Sequence, residues 1–399
     1  MALNFYFDYV TDVGIPYPNL GRTVAKPGTP QWHQFDNQWP FVSHFRPLLY
    51  LSEAARTPRY ITAHDQQPWE TAWYPIQFGW FDFCIDYIRL IPESTMELLR
   101  KGKLKLLFCY HEGDNPHEIV DRIDIMCQSN DLPLDIWRLI SSNSAASDID
   151  KCLYFNDHES FFRLRNRKQR APGVGKTNPD IKYVFTCLIR QHKDWRLAFM
   201  ADLWHQKLLD QSYWSYNTAG TPVNFNITSL PVNAALLPDL DNQVESFKEL
   251  IPKFCDEMTS DQHNDHSQVD TEGYVKSMCN IVFETNFDNG GSGAFITEKT
   301  WKCIKYGQPF VIVSAPHSLR TLRDQGYKVF DQIIDNSYDD VFDNTERWQK
   351  IKQTLAEIKQ RNTDEWWRDC YADALHNQKL FENRRRDGVD DLVKFLQHG

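Results

Sequence analysis

The residues best suited to chemistry lie between 280 and 301. Asn280-Ile281-Val282-Phe283 reads as a buried strand that ends in a carboxylate and an amide, Glu284-Thr285-Asn286. Gly290, Gly291 and Gly293 then mark a loop. Phe295-Ile296-Thr297-Glu298-Lys299-Thr300-Trp301 opens a helix with Thr297 at the N-cap position. The free N–H groups and the dipole of such a helix start favour an anion. Glu284, Thr297, Glu298 and Lys299 therefore form a candidate ligand set, with Glu298 placed to accept from a ribose diol and Lys299 to meet a diphosphate. An ordinary amphipathic helix with a dipole-compensating glutamate carries the same pattern. A second group follows another strand: Ile189-Arg190-Gln191-His192-Lys193-Asp194-Trp195-Arg196. Arg190, Lys193 and Arg196 are cations of the kind that neutralise a diphosphate. A solvated helix start with Asp194 as its cap is the alternative.

Phe283-Glu284-Thr285-Asn286, Phe295-Ile296-Thr297-Glu298-Lys299 and Gly307-Gln308-Pro309-Phe310-Val311 together resemble the donor-site signature of the α1,3-fucosyltransferase family. They also resemble the C-terminal part of less characterised viral and bacterial glycosyltransferases. The resemblance covers residues 275–315 and weakens through Asp335-Asn336-Ser337-Tyr338-Asp339-Asp340. Thr285 stands where the family has Asn, and Trp301 and Gln308-Pro309-Phe310 also depart from it. What the resemblance implies is a GT-B fold, two Rossmann-like domains facing across a cleft. It also implies a nucleotide-diphosphate-sugar donor, inversion at the anomeric carbon and no obligatory metal or other cofactor. Glu298 and Lys299 inherit the ribose and phosphate roles. Such a transferase needs a general base for the acceptor hydroxyl. Glu112, within His111-Glu112-Gly113-Asp114, is the preferred candidate, with Asp114 and His111 behind it and Asp65 as competitor. Each of these residues reads equally as a turn-forming or capping polar group. A nucleotide- or carbohydrate-binding protein of the same fold without turnover is the alternative function.

The elements that must position these groups alternate between strand and helix. Strands are predicted at Arg59–Ala63, Lys103–Cys109, Ile136–Ile140, Cys152–Phe155, Tyr183–Ile189, Cys279–Phe283 and Pro309–Val313, with helices at Pro116–Ser129, Asp194–Gln206, Thr297–Tyr306 and Ser318–Gln325. This alternation argues for parallel α/β sheets. The first 55 residues show no sustained period and are predicted to be irregular. The basic, turn-rich stretch 162–180 is the predicted linker. The expected domains are an acceptor-side Rossmann-like domain over 1–178 and a nucleotide-sugar donor domain over 179–345. C-terminal helices over 346–399 are expected to pack back on the first domain.

The chain has 399 residues, 41% of them hydrophobic and 25% charged, which excludes a disordered or low-complexity polymer. Its net charge of −10 excludes a general polyanion binder. The local basic run Arg165, Arg167, Lys168 remains a candidate nucleic-acid contact, and a hydroxymethylated base in DNA is kept as an acceptor beside a glycan or polysaccharide. The 9 cysteines are scattered with no C-x-x-C pair, which reads as reduced, mostly buried thiols in a cytoplasmic compartment, the host's if the chain is viral. Neither a signal peptide nor a membrane span is expected. Arg170-Ala171-Pro172-Gly173-Val174-Gly175-Lys176-Thr177 lacks the leading glycine and preceding strand of a phosphate-binding loop, and no metal site is expected.

Overall fold

The computed structural model describes residues 3–7, 15–16, 23–24, 51, 59–62, 71–78, 86–165, 171, 180–218, 223–237, 239–255, 269, 271–288, 293–384 and 387–398. They fall into two compact units, Met1–Phe161 with Arg384–Gly399, and Phe162–Asn383.

The first unit is built on strands β1 (Asn4–Phe7), β4 (Arg59–Thr62), β5 (Ala72–Phe78), β6 (Leu104–Tyr110), β7 (Trp137–Ser141) and β8 (Cys152–Tyr154), with β2 (Ile15–Pro16) and β3 (Thr23–Val24) forming a separate antiparallel pair. Its sheet runs β4-β1-β5-β6-β7-β8 with every neighbouring pair parallel. Helix α1 (Glu93–Arg100) precedes β6, α2 (Pro116–Ser129) follows it, and α3 (Asp157–Arg165) follows β8. β6 is buried at every position but Lys105, the near-continuous apolar run of a strand covered on both faces. Asn115 accepts from His117 N at 3.1 Å and Pro116 opens α2, as the sequence predicts.

The expectation of an irregular N-terminal segment is corrected by the short β2–β3 pair and above all by β1, which is an inner strand of the sheet. Phe5 and Tyr6 are both buried, so the strand shows no polar alternation, and four residues are too short a run to stand out. β5 also escaped the sequence reading, because Pro75 argues against an inner strand. Its pairing with β1 is confined to Phe5 opposite Trp73, so the proline stands beyond the paired part. The predicted linker begins inside a helix, since α3 continues to Arg165, with Phe162 buried and Arg163 4.5 Å over the Phe381 ring. Acidic residues in its first turn, Asp157 and Glu159, suit a helix start.

In the second unit β9 (Tyr183–Ile189), β10 (Tyr213–Tyr216), β11 (Ser277–Phe283) and β12 (Phe310–Val313) pair in the order β10-β9-β11-β12, again all parallel. The connecting helices are α4 (Asp194–His205), α5 (Leu240–Lys248), α6 (Thr271–Lys276), α7 (Glu298–Tyr306) and α8 (Ser318–Asp324). From β9 the chain steps out through α4 to β10, then returns past β9 to β11. The strand order therefore reverses between β9 and β11, and the carboxyl ends of those two strands frame the crevice where open α/β sheets bind ligands. The first sheet has the same pattern, with its reversal between β1 and β5.

The C-terminal helices divide between the units. α9 (Asn344–Lys359) and α10 (Thr363–Asn383) belong to the second, and only α11 (Asp387–His398) belongs to the first. The reason is polar as well as apolar. Buried Asp202 of α4 accepts from Lys352 Nζ at 2.8 Å and from Trp348 Nε1 at 2.7 Å, both on α9. Trp366 Nε1 of α10 donates to Met278 O at 2.8 Å. α11 is held on the first unit, where Trp73 Nε1 donates to Leu396 O at 3.1 Å. All eight described cysteines are free thiols, and only Cys255 is not fully buried. Among the described residues no helix is long and apolar enough to cross a membrane.

A polar contact sets how close α6 approaches the sheet. Thr186 Oγ1 donates to Gly273 O at 2.6 Å, and Gln308 Nε2 donates to the same carbonyl at 3.2 Å. A Cβ at Gly273 would lie 2.9 Å from Thr186 Cγ2 and 2.9 Å from Tyr213 Cδ1. Gly273→Ala is expected to destabilise the second unit by about 1–3 kcal/mol through overpacking. A denaturant titration reads this as a lower midpoint, and an unchanged midpoint would contradict the tight approach.

Candidate functional site

The centre of the second unit's carboxyl edge is the fully buried carboxylate of Glu284, the residue after β11. Its Oε1 accepts from Thr297 N at 3.1 Å and from Thr300 Oγ1 at 2.6 Å. Its Oε2 accepts from Thr297 Oγ1 at 2.6 Å and lies 3.4 Å from Lys299 Nζ. A buried carboxylate is tolerated when several donors surround it, and the first turn of α7 supplies them. Thr297 occupies the N-cap position, but its hydroxyl does not cap the helix. The expected side-chain cap is corrected: the hydroxyl donates to Glu284, which compensates the helix end from below.

Lys299 is thereby placed rather than free to wander. Its Nζ donates to Thr297 Oγ1 at 2.8 Å and lies 3.5 Å from Thr285 Oγ1, with 28% of the side chain exposed. From the other side of the crevice, Lys193 Nζ donates to Thr285 O at 2.8 Å. Two ammonium groups, one from the β9–α4 loop and one from α7, thus bracket Thr285. Glu298, beside Lys299, is buried.

Arg196 has a different place from the one its sequence position suggests. It is buried in α4, and its terminal nitrogens donate to Glu284 O at 2.6 Å and Gln191 O at 3.1 Å. Burial lowers its pKa to about 10, against the opposing pull of Glu284, so it stays charged at neutral pH. Arg190 lies near enough for its charge to push in the same direction as burial. Arg196 is a strut that joins the β9–α4 loop to the end of β11, while Lys193 and Lys299 reach Thr285 above it.

A polar chain that sequence reasoning did not assemble holds the same loop from its β10 side. The Tyr216 hydroxyl, at the end of β10, accepts from the Lys193 backbone N–H and shares a hydrogen bond with His192 Nδ1 at 2.9 Å. His192 Nε2 lies 3.3 Å from Asp194 Oδ1, and Asp194 Oδ2 accepts from Ser229 Oγ at 2.5 Å. Burial pushes the Tyr216 hydroxyl well above its ordinary range, so it remains a neutral donor. Asp194 is the first residue of α4, not its cap. The clue in the sequence was His192 and Asp194 two apart before a helix. The distant Tyr216 and Ser229 had no local signal.

In the first unit the segment after β6 carries the predicted acids. Asp114 accepts from the Tyr110 hydroxyl, and Asn143 Nδ2 donates to Gly113 O at 3.0 Å and to Asp114 O at 3.3 Å. Glu112 is half-buried, with its Oε1 3.6 Å from His111 Nε2. His158 reaches the same loop, its Nε2 3.2 Å from His111 O. Glu112 and Asp114 thus occupy the carboxyl edge of the first sheet, Asp114 as part of the turn. Asp65, Arg167, Lys168, Gly290 and Gly291 lie outside the described residues, and Arg165 ends α3 with its side chain outside them. Among the described residues no group of three or more His, Cys, Asp or Glu is arranged to hold a metal ion.

No family model matches this chain. No curated protein matches it. Among solved structures, one described as the crystal structure of alpha1,3-fucosyltransferase is similar at 9% identity and a TM-score of 0.35, covering 88% of this chain and 85% of that one. At that TM-score the likeness lends no weight to either fold or activity.

Proposed function

We propose that this chain is a nucleotide-sugar-dependent glycosyltransferase of the GT-B class, inverting and independent of metal. The observation that carries the reading is the pair of lysines, Lys193 and Lys299, bracketing Thr285 where the second sheet reverses. A diphosphate is the ligand that two fixed ammonium groups, with Arg190 on the same β9–α4 loop, fit best. The motif around Glu284, Thr297, Glu298 and Lys299 supports the same assignment through its family resemblance.

In this reading the acceptor hydroxyl loses its proton to Glu112 as its oxygen bonds to the anomeric carbon. The bond from that carbon to the diphosphate oxygen breaks, and the leaving diphosphate carries the electron pair away. Lys193, Lys299 and Arg190 take up its developing charge. Glu284 does not touch the ligand. It fixes Thr297 and Lys299, and Arg196 fixes the loop of Lys193. The acceptor is proposed to be a glycan or polysaccharide hydroxyl, with a hydroxymethylated base in DNA as the competing acceptor.

Lys299→Ala removes one of four donors to Glu284 and leaves three, so the fold is expected to persist. Calorimetry with GDP, UDP, TDP and CMP is expected to show a diphosphate bound by the native chain about 10-fold or more tighter than by the variant, the scale of one charged hydrogen bond. Equal affinities, or no binding by the native chain, would overturn the reading.

Glu112→Gln is expected to lower the transfer rate by about 100-fold or more while leaving nucleotide affinity unchanged, as loss of a general base does. Single-turnover transfer measured with an excess of enzyme checks this. An unaltered rate would move the role to Asp114 or Asp65.

A further inference from the structure

The carboxyl edge of the second sheet continues past the lysines to β12. Glu284 N donates to Val313 O at 3.1 Å, and Ala315 N donates to Asn286 O at 2.9 Å, so the loop after β12 is laced to the loop after β11. That loop ends at His317, which has φ +65°. A left-handed backbone is uncommon for a side chain of this size and persists where its surroundings impose it. Here they do: His317 N donates to Asp339 O at 2.8 Å, and the buried Asp339 carboxylate accepts from Leu319 N and Arg320 N at 2.9 Å each.

The His317 ring meets the Phe342 ring edge to face, 5.1 Å between centroids at 87°. Phe342 is 59% exposed, more than any other described aromatic residue. A single exposed apolar side chain needs no explanation by its exposure alone. What sets Phe342 apart is the backbone that carries it. Arg347, buried, donates to Val341 O at 2.7 Å and Phe342 O at 3.3 Å, and also to Ser314 O at 3.1 Å and Phe287 O at 2.5 Å. One guanidinium therefore ties the backbone that carries the exposed ring to the loops after β11 and β12. Asp340 Oδ1 lies 3.7 Å from His317 Nε2 at the rim of the pair.

A solvent-facing π surface on a fixed backbone, flanked by a donor-acceptor ring and a carboxylate, matches a flat aromatic ligand with a polar edge. In a nucleotide that part is the base. We infer that Phe342, braced by His317, is the platform on which the nucleobase of the bound nucleotide stacks, with His317 and Asp340 facing the base's edge. The inference rests on the diphosphate reading above. It sets an order along the sheet edge: phosphates over β9 and β11, base over β12. Stacking on an aromatic ring tolerates any base, so the platform supplies affinity, and discrimination among bases falls to the polar rim.

The test is calorimetry of the full chain with two probes, the nucleoside diphosphate it binds best and inorganic pyrophosphate, which has no base. Phe342→Ala is expected to weaken the nucleoside diphosphate by about 5-fold or more and to leave pyrophosphate unchanged. Phe342→Trp is expected to restore nucleotide affinity. Lys299→Ala is expected to weaken both probes. If Lys299→Ala weakens the nucleotide and Phe342→Ala does not, the platform is wrong and the diphosphate site stands. Equal loss of both probes in Phe342→Ala would show a general disturbance and overturn the platform. If the native chain binds neither probe, the diphosphate reading falls and the platform with it.

Discussion

One buried carboxylate organises the second unit's working edge. Glu284 arrives at the end of a strand buried at all seven positions, where water cannot solvate it. A charge in that place must be surrounded by donors or be neutralised. The first turn of α7 satisfies it with a backbone N–H, two hydroxyls and an ammonium. The same contacts fix where α7 begins and where Lys299 points. Remove the carboxylate and the helix start loses its anchor. Remove the lysine and three donors still hold the helix.

Two buried arginines perform the complementary task for backbone oxygens. A chain leaving a sheet exposes carbonyls that need donors. Arg196 answers Glu284 O and Gln191 O, and Arg347 answers Phe287 O and Ser314 O. Burial lowers the pKa of each to about 10, so both stay charged at neutral pH. A guanidinium has donors enough to serve several carbonyls at once, which a lysine in a narrow buried site does not match. These two side chains let irregular loop backbone lie against a dry core without orphaned oxygens.

The alternation of strand and helix was legible because most strands are unbroken apolar runs and the helices have recognisable starts. β6, α2, β9, β11, α7 and β12 lie within two residues of their predicted bounds. β1 and β5 were not legible: one is four residues long, and the other carries a proline. In the site, residues joined within one segment were visible, as with Thr297 and Lys299. Those joined across the fold were not. Nothing near Arg196 announces that its partner is a carbonyl 88 residues away. Nothing near Asp202 announces Lys352 on α9, so the place of α9 and α10 in the second unit, unlike that of α11 in the first, departs from the expectation. Charge type is local information; charge partnership is not.

The buried thiols give each unit a built-in reporter of its own opening. Cys127 and Cys152 lie in the first unit's core, with burial pushing both to about 12. Cys187, Cys279 and Cys303 lie in the second core, where burial raises them further. A thiol reacts as the thiolate and only where a reagent can reach it. In the native state these sulfurs are protonated and enclosed, so alkylation must wait for the surrounding core to open. Mapping labelled cysteines against time would therefore separate the opening of one core from that of the other, within a single intact chain and without denaturant.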